Sequence, residues 1–184
     1  MNKAGQYLVL VTILTFSAFI AAGCAPATGL ASTGAIEVHV TDPGHSNNIS
    51  SIDITASVIE IHKAGDGGEE GEWIALNITM PVFDLIELKE GGLEETLAAG
   101  NVTAGKYTQI RMTIEAVEVI LDGQSQDATV PSGKLKFVRP FEVMEGRTTV
   151  LTLDFDAGKS VTITGAGKVI LRPVVTLNVT MPSD

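Results

Sequence analysis

From Ala35 onward, apolar side chains recur at every second position, a period that fits strands with one buried face and leaves little room for helices. Ile36, Val38 and Val40 alternate with Glu37, His39 and Thr41. Ile52, Ile54, Ala56 and Val58 alternate with Asp53, Thr55 and Ser57, and then Ile59 and Ile61 take over the apolar parity. A change of face within one strand marks a bulge or a passage between two sheets, so one is expected near Val58. The strand that begins at Lys106 repeats the pattern: Ile110, Met112 and Ile114 share one parity, while Val117, Val119 and Leu121 share the other. A second crossing is therefore expected near Ala116.

Turn formers punctuate these runs at Thr41-Asp42-Pro43-Gly44, Asp122-Gly123, Glu145-Gly146, Ala157-Gly158 and Gly165-Ala166-Gly167. Between them, strands are predicted over Trp73–Ile78, Phe83–Leu88, Thr129–Gly133, Leu135–Val138, Phe141–Met144, Thr149–Phe155, Val161–Thr164 and Val169–Val179. The segment from Ala64 to Glu72 reads as an exposed loop, and Leu93–Leu97 is the single candidate for a helical turn. Pro140 and Pro173 cannot donate to a ladder, which puts their strands at an edge or kinks them there. About nine or ten short strands, with turns every ~8–12 residues, predict an all-β fold, an antiparallel β-sandwich in one domain over residues 35–181.

The N-terminus has a different grammar. Lys3 precedes an apolar run from Tyr7 to Ala22, broken only by Thr12, Thr15 and Ser17, and small residues lead to Cys24. The uninterrupted apolar part is shorter than the ~20 residues of a spanning helix, so residues 1–23 read as a secretory signal. The ending Ala21-Ala22-Gly23-Cys24 is similar to a lipoprotein signal, which implies cleavage before Cys24 and acylation of its thiol. Two or more acyl chains hold a protein on a membrane stably. Residues 24–34, small and uncharged, then form a tether, and the expected address is the outer face of the cytoplasmic membrane or the outer membrane.

With a single cysteine in the chain, no intrachain disulfide forms and packing alone must stabilise the domain. The formal net charge is −10, from 12 basic and 22 acidic residues, and losing Lys3 makes the remainder more acidic still. Such a surface repels nucleic acid, which is excluded as a partner, along with anionic lipid head groups.

Several motifs together resemble a known family: Val58-Ile-Glu-Ile-His-Lys63, Trp73, Gly105-Lys-Tyr-Thr-Gln-Ile-Arg111, Val130-Pro-Ser-Gly133, Leu153-Asp-Phe-Asp-Ala-Gly-Lys-Ser160 and Val169-Ile-Leu-Arg-Pro173. In this order, over about Gly34 to Thr180, they are similar to the uncharacterised lipoprotein family catalogued as domain of unknown function 4382. The resemblance implies a prealbumin-like or carbohydrate-binding-like sandwich exported on a lipid anchor, with no known activity and no site residues to transfer. Asp42-Pro43-Gly44 departs from the Asp-Ala-Pro expected of the family at that turn.

Candidate chemistry is sparse. Gly158-Lys159-Ser160 lacks the earlier glycine of a phosphate loop, since Leu153 stands in its place, and reads as a hairpin turn. Asp154 and Asp156 share a strand face and offer two oxygen donors to Ca²⁺, which takes six to eight; Asp42 or Asp84 are possible further donors, and solvated surface acids are the plainer account. His39, His45 and His62 are too scattered for a zinc site. Trp73, Tyr107 and Phe83 are candidates for a sugar-stacking platform, against which stands a core role for Trp73 in a chain only 5% aromatic. Asn48, Asn77, Asn101 and Asn178 each begin an Asn-X-Ser/Thr triplet, where chance predicts about one such match. No nucleophile elbow or catalytic constellation is present, so a non-enzymatic, cofactor-free binding or structural domain is expected, its partner an unidentified protein or glycan. The alternative is a carbohydrate-binding module that tethers extracellular glycan.

Overall fold

The computed structural model describes residues 31–42, 49–68 and 70–182. Residues 1–23, read above as a secretory signal, and Cys24, His45 and Asn48 lie outside the described residues. In chain order the elements are β1 (Thr33–Thr41), β2 (Ile49–Lys63), β3 (Glu72–Ala75), β4 (Asn77–Ile78), β5 (Val82–Asp84), α1 (Leu85–Gly91), β6 (Glu95–Thr103), β7 (Gly105–Leu121), β8 (Gln124–Asp127), β9 (Lys134–Val143), β10 (Thr148–Phe155), α2 (Ala157–Ser160), β11 (Val161–Ile163), β12 (Val169–Leu171) and β13 (Val175–Thr180). The all-β expectation holds, with thirteen strands among the described residues rather than nine or ten.

Two sheets share one core. The first has the order β13-β10-β1-β6-β4. The second is built on the long antiparallel pair β2 and β7, with β3 and β5 along the free side of β2 and β8 and β9 along the free side of β7. β11 and β12 form a small separate hairpin. Among the described strands the ladders are antiparallel except at the centre of the first sheet, where β1 and β10 run parallel, with Ala35 opposite Thr148 and Thr41 opposite Asp154.

Both expected changes of face are bulges in the β2–β7 ladder. Thr55 pairs with Ala116, Ala56 with Ile114 and Val58 with Thr113, so Glu115 and Ser57 are the extra residues. Ile52, Ile54 and Ala56 point inward before the bulge and Ile59 and Ile61 after it, while Ser57 and Val58 face solvent. Pro140 sits where β9 slips against β7, between the pairs Gln109–Val138 and Tyr107–Phe141, and Pro173 separates β12 from β13. The core joins Ile36, Val38 and Val40 of β1 and Leu151, Leu153 and Phe155 of β10 to Ile59, Ile61, Ile110 and Met112 of the opposite sheet, all fully buried. Phe83 meets Phe155 edge to face at 5.7 Å across the two sheets. Each such side chain contributes roughly 1.5–3 kcal/mol by leaving water.

Several expectations are corrected. Phe83–Leu88 is a strand only to Asp84, because Asp84 caps a helix: its Oδ1 accepts from Ile86 N at 2.8 Å, Leu85, Ile86 and Leu88 bury one side, and Gly92 closes α1 in the left-handed conformation (φ 59°). Leu93–Leu97 is not helical; Glu95 opens β6, which pairs along β1. Trp73–Ile78 is two strands in different sheets, with the break at buried Leu76, whose N–H donates to the Ile59 carbonyl. Thr129–Gly133 contributes one isolated bridge, from Thr129 to Ile170. Ala157–Ser160 is one helical turn rather than a hairpin turn, capped by Asp156. Thr33 and Gly34 belong to β1, not to the tether: a Cβ on Gly34 would overlap the Met144 carbonyl oxygen and Val143.

Candidate functional site

The outer faces of the two sheets differ in character. On the second sheet, the upper half of β2 turns Glu60 and His62 outward, and the register sets Trp73 beside His62, Arg111 beside Glu60 and Lys136 beside Arg111. One step away, Val58, Thr113 and Lys134 form the next row. These side chains meet. Arg111 Nε donates to Glu60 Oε2 at 2.5 Å, and its guanidinium carbon lies 3.9 Å from the centre of the Trp73 ring. His62 contacts the edge of the same ring at 4.9 Å, and its Nδ1 is 2.9 Å from Thr108 Oγ1.

The electrostatics follow from these contacts. The hydrogen bond from Arg111 holds the Glu60 carboxyl below the usual carboxylate range despite partial burial, helped by the charges of Arg111 and Lys134; the same bond raises Arg111. Trp73 is half-buried, and stacking on a cation is the arrangement in which an indole on a wet surface is best held. Lys134 and Lys136 are exposed, and Val138 beyond them is 73% exposed. The Oε1 atom of Gln109, in the same row as Trp73, His62 and Val138, is buried with no hydrogen-bond partner. A strip of basic, aromatic and apolar side chains thus crosses β3, β2, β7 and β9 in a chain of net charge −10.

Below the bulge the face reverses sign. Asp84, Asp53, Glu118 and Asp127 stand in one cross-strand row over β5, β2, β7 and β8. Burial raises the Asp53 carboxyl above its ordinary range; a hydrogen bond from Ser51 opposes this, and the charges of Asp84 and Glu118 add to it.

Of the three aromatics considered for a stacking platform, only Trp73 reaches the surface. Tyr107 is fully buried, stacked on Phe141 at 5.4 Å and donating its hydroxyl to the Thr103 carbonyl at 2.8 Å; Phe83 is in the core. The platform over Trp73 and Tyr107 is corrected accordingly. Its missing partner is Arg111, which sequence spacing does not reveal because only strand register, pairing Glu60 with Arg111 and His62 with Trp73, brings it to the indole.

The structure does bring Asp42, Asp154 and Asp156 into one neighbourhood: burial first, then the charges of Asp42 and Asp156, raises the Asp154 carboxyl. Two of the three have structural tasks. Buried Asp42 accepts from Ala157 N at 3.0 Å, and Asp156 accepts from Lys159 N at 3.0 Å and Lys159 Nζ at 2.5 Å, which lowers its own carboxyl. Asp84 is elsewhere, its Oδ1 shared between Ile52 N and Ile86 N. Among the described residues, no group of three or more His, Cys, Asp or Glu side chains is arranged to hold a metal ion.

Asn77, Asn101 and Asn178 are exposed, on β4, β6 and β13 of the first sheet. His39 lies on that sheet's outer face, between Glu94 at 2.7 Å and Glu37 at 3.0 Å. Among the described residues, no helix is long and apolar enough to cross a membrane.

A family model described as a domain of unknown function, number 4382, matches residues 33–173. No curated protein and no solved structure matches the chain.

Proposed function

Because the chain belongs to the family of domain of unknown function 4382, whose description carries no activity, we propose from its own residues that it is a lipid-anchored cell-envelope protein whose sandwich binds a partner without catalysis. Export and anchoring rest on the apolar run to Ala22 and on Cys24, which would carry the lipid. The domain would sit outside the cytoplasmic membrane, or on the outer membrane, at the end of a short tether.

The observation that carries the binding reading is the strip over β3, β2, β7 and β9. A cation-stacked indole, two exposed lysines and an exposed valine share one outer face of a strongly acidic protein. Such a face suits an acidic or mixed polar and apolar partner surface. Capture from intact envelope tests it: the unsubstituted protein should retain a partner that Lys134→Glu with Lys136→Glu loses by at least tenfold. Equal capture by the two would remove the strip from this reading. Intact-mass analysis of the mature N-terminus tests the anchor separately, and an unmodified Cys24 thiol would remove it.

A second reading, a module that tethers extracellular glycan, is favoured by the surface position of Trp73 beside Arg111, since an indole and a guanidinium together can stack on and hydrogen-bond a sugar. Glycan-array binding abolished by Trp73→Ala and kept by Tyr107→Phe would select it. Binding that survives Trp73→Ala would sink it.

A further inference from the structure

The open edges of the two sheets are not alike. On the second sheet β9 is guarded by Lys134, Lys136 and the slip at Pro140, while β3, β5 and β8 are at most four residues long and each carries an acid, Glu72, Asp84 or Asp127. Charges, prolines, bulges and shortness are the means by which natural sheets blunt an edge. On the first sheet β4 has two residues. β13 has none of these protections: Val175-Thr-Leu-Asn-Val-Thr180 is uncharged, free of proline and glycine, and paired with β10 through six residues without a slip. Among the described residues no strand pairs with its other side. Met181, directly beyond it, is 51% exposed, and Val174, directly before it, 43%.

We infer that β13 pairs with β13 of a second copy, antiparallel across a two-fold axis, joining two five-stranded sheets into one. A two-fold axis normal to the sheet keeps inner faces together, so residues of the same parity must meet. Val175, Leu177, Val179 and Met181 form the inner-parity set, and Thr176, Asn178 and Thr180 the outer. Centred on Asn178, the register sets Asn178 against its own copy, Thr176 against Thr180, Leu177 against Val179, and Val175 against the exposed Met181. Either register is bounded by a proline, Pro182 or Pro173, but centring on Leu177 would set Val174 against Thr180, an apolar side chain against a hydroxyl, and would leave the exposed Met181 without an apolar partner. The seam brings no charged side chain of β13 against its copy, which matters for two chains of net charge −10. A second copy fits better than a charged partner strand for the same reason: every pair in this register is apolar with apolar or hydroxyl and amide with their like.

Cross-linking the full chain in its membrane or in detergent reads this directly, since residues directly opposite in an antiparallel pair have Cα atoms about 4.5–5.5 Å apart, within disulfide reach. Asn178→Cys should give at least fivefold more disulfide-linked dimer than the unsubstituted chain, in which only unacylated Cys24 could contribute, and than Val138→Cys on the guarded β9 edge. The yield should rise with ionic strength, as repulsion between the two acidic bodies is screened. Thr176→Cys and Thr180→Cys should each cross-link poorly alone and well when mixed, which fixes the register independently of any effect of substituting Asn178. Equal yields from Asn178→Cys and Val138→Cys, capture of a different protein by Asn178→Cys, or a glycan on Asn178 of the purified protein would each overturn the inference.

Discussion

Replacing Asp53 by Asn should make the protein more stable. Asp53 stands directly opposite Asp84 on one side and Glu118 on the other, with Asp127 one strand further on. Like charges facing each other across paired strands cost roughly 0.2–1 kcal/mol per pair, so removing the charge with two such neighbours should gain about 1 kcal/mol. In a domain of this size that is a rise of about 2–4 °C in melting temperature. Asn keeps an oxygen to accept from Ser51, so the hydrogen bond that opposes the shift is retained. The pH dependence has a definite sign. Burial first, and then the charges of Asp84 and Glu118, raise the native carboxyl above its ordinary 3.8, so the ionised group costs stability above its native pKa. That cost fades as the pH falls through the raised pKa toward the unfolded value. The advantage of Asp53→Asn over the unsubstituted protein should therefore be full at neutral pH, small near about pH 4, and reduced by salt. Thermal unfolding followed by circular dichroism at both pH values measures it. A variant less stable than the unsubstituted protein at pH 7, or a gain undiminished at pH 4, would refute the cost assigned to this row.

Asp42→Ala should cost about 1–3 kcal/mol, because it leaves the Ala157 N–H buried without its acceptor; denaturant unfolding measures the loss. Gly34→Ala should cost at least as much as a typical overpacking substitution, about 1–3 kcal/mol, since its Cβ would run into the Met144 carbonyl and Val143. A neutral result there would mean that the N-terminal part of β1 is not held against the β9–β10 turn. Arg111→Ala uncovers the only tryptophan of the chain, so the emission of Trp73 should shift to longer wavelength and quench more readily with iodide, while the melting temperature changes little.

The parts of the fold that were legible in the sequence are those where side-chain parity carries the information. The switches at Val58 and Ala116 were readable because Ile, Val and Met occupy the inner positions on both sides of each bulge. β6 was not, because Ala98, Ala99 and Gly100 give it almost no strand preference, and its place is set by pairing with β1. α1 hid inside an apparent strand because Leu85, Ile86 and Leu88 suit either period; the decision falls to Asp84, whose carboxylate reaches two backbone amides. The parallel contact between β1 and β10 has no local signature at all. The aromatic and basic strip was half legible: Trp73 stood out, but Arg111 becomes its neighbour only through register, and Tyr107 is drawn inward by Phe141.

The parallel pairing of β1 with β10 also has a consequence in time. β1 lies at the middle of the first sheet, yet its two neighbours, β6 and β10, begin at Glu95 and Thr148. A chain made from its N-terminus produces β1 long before either, and contacts of such sequence separation form late and slowly. A nascent chain stopped short of Thr148 would present one uncovered side of β1, with Ile36, Val38 and Val40 still lacking Leu151 and Leu153 beside them. The earliest strand of the domain to be synthesised is thus among the last to be completed, and a product truncated before β10 would be exposed to aggregation rather than left as a smaller folded unit.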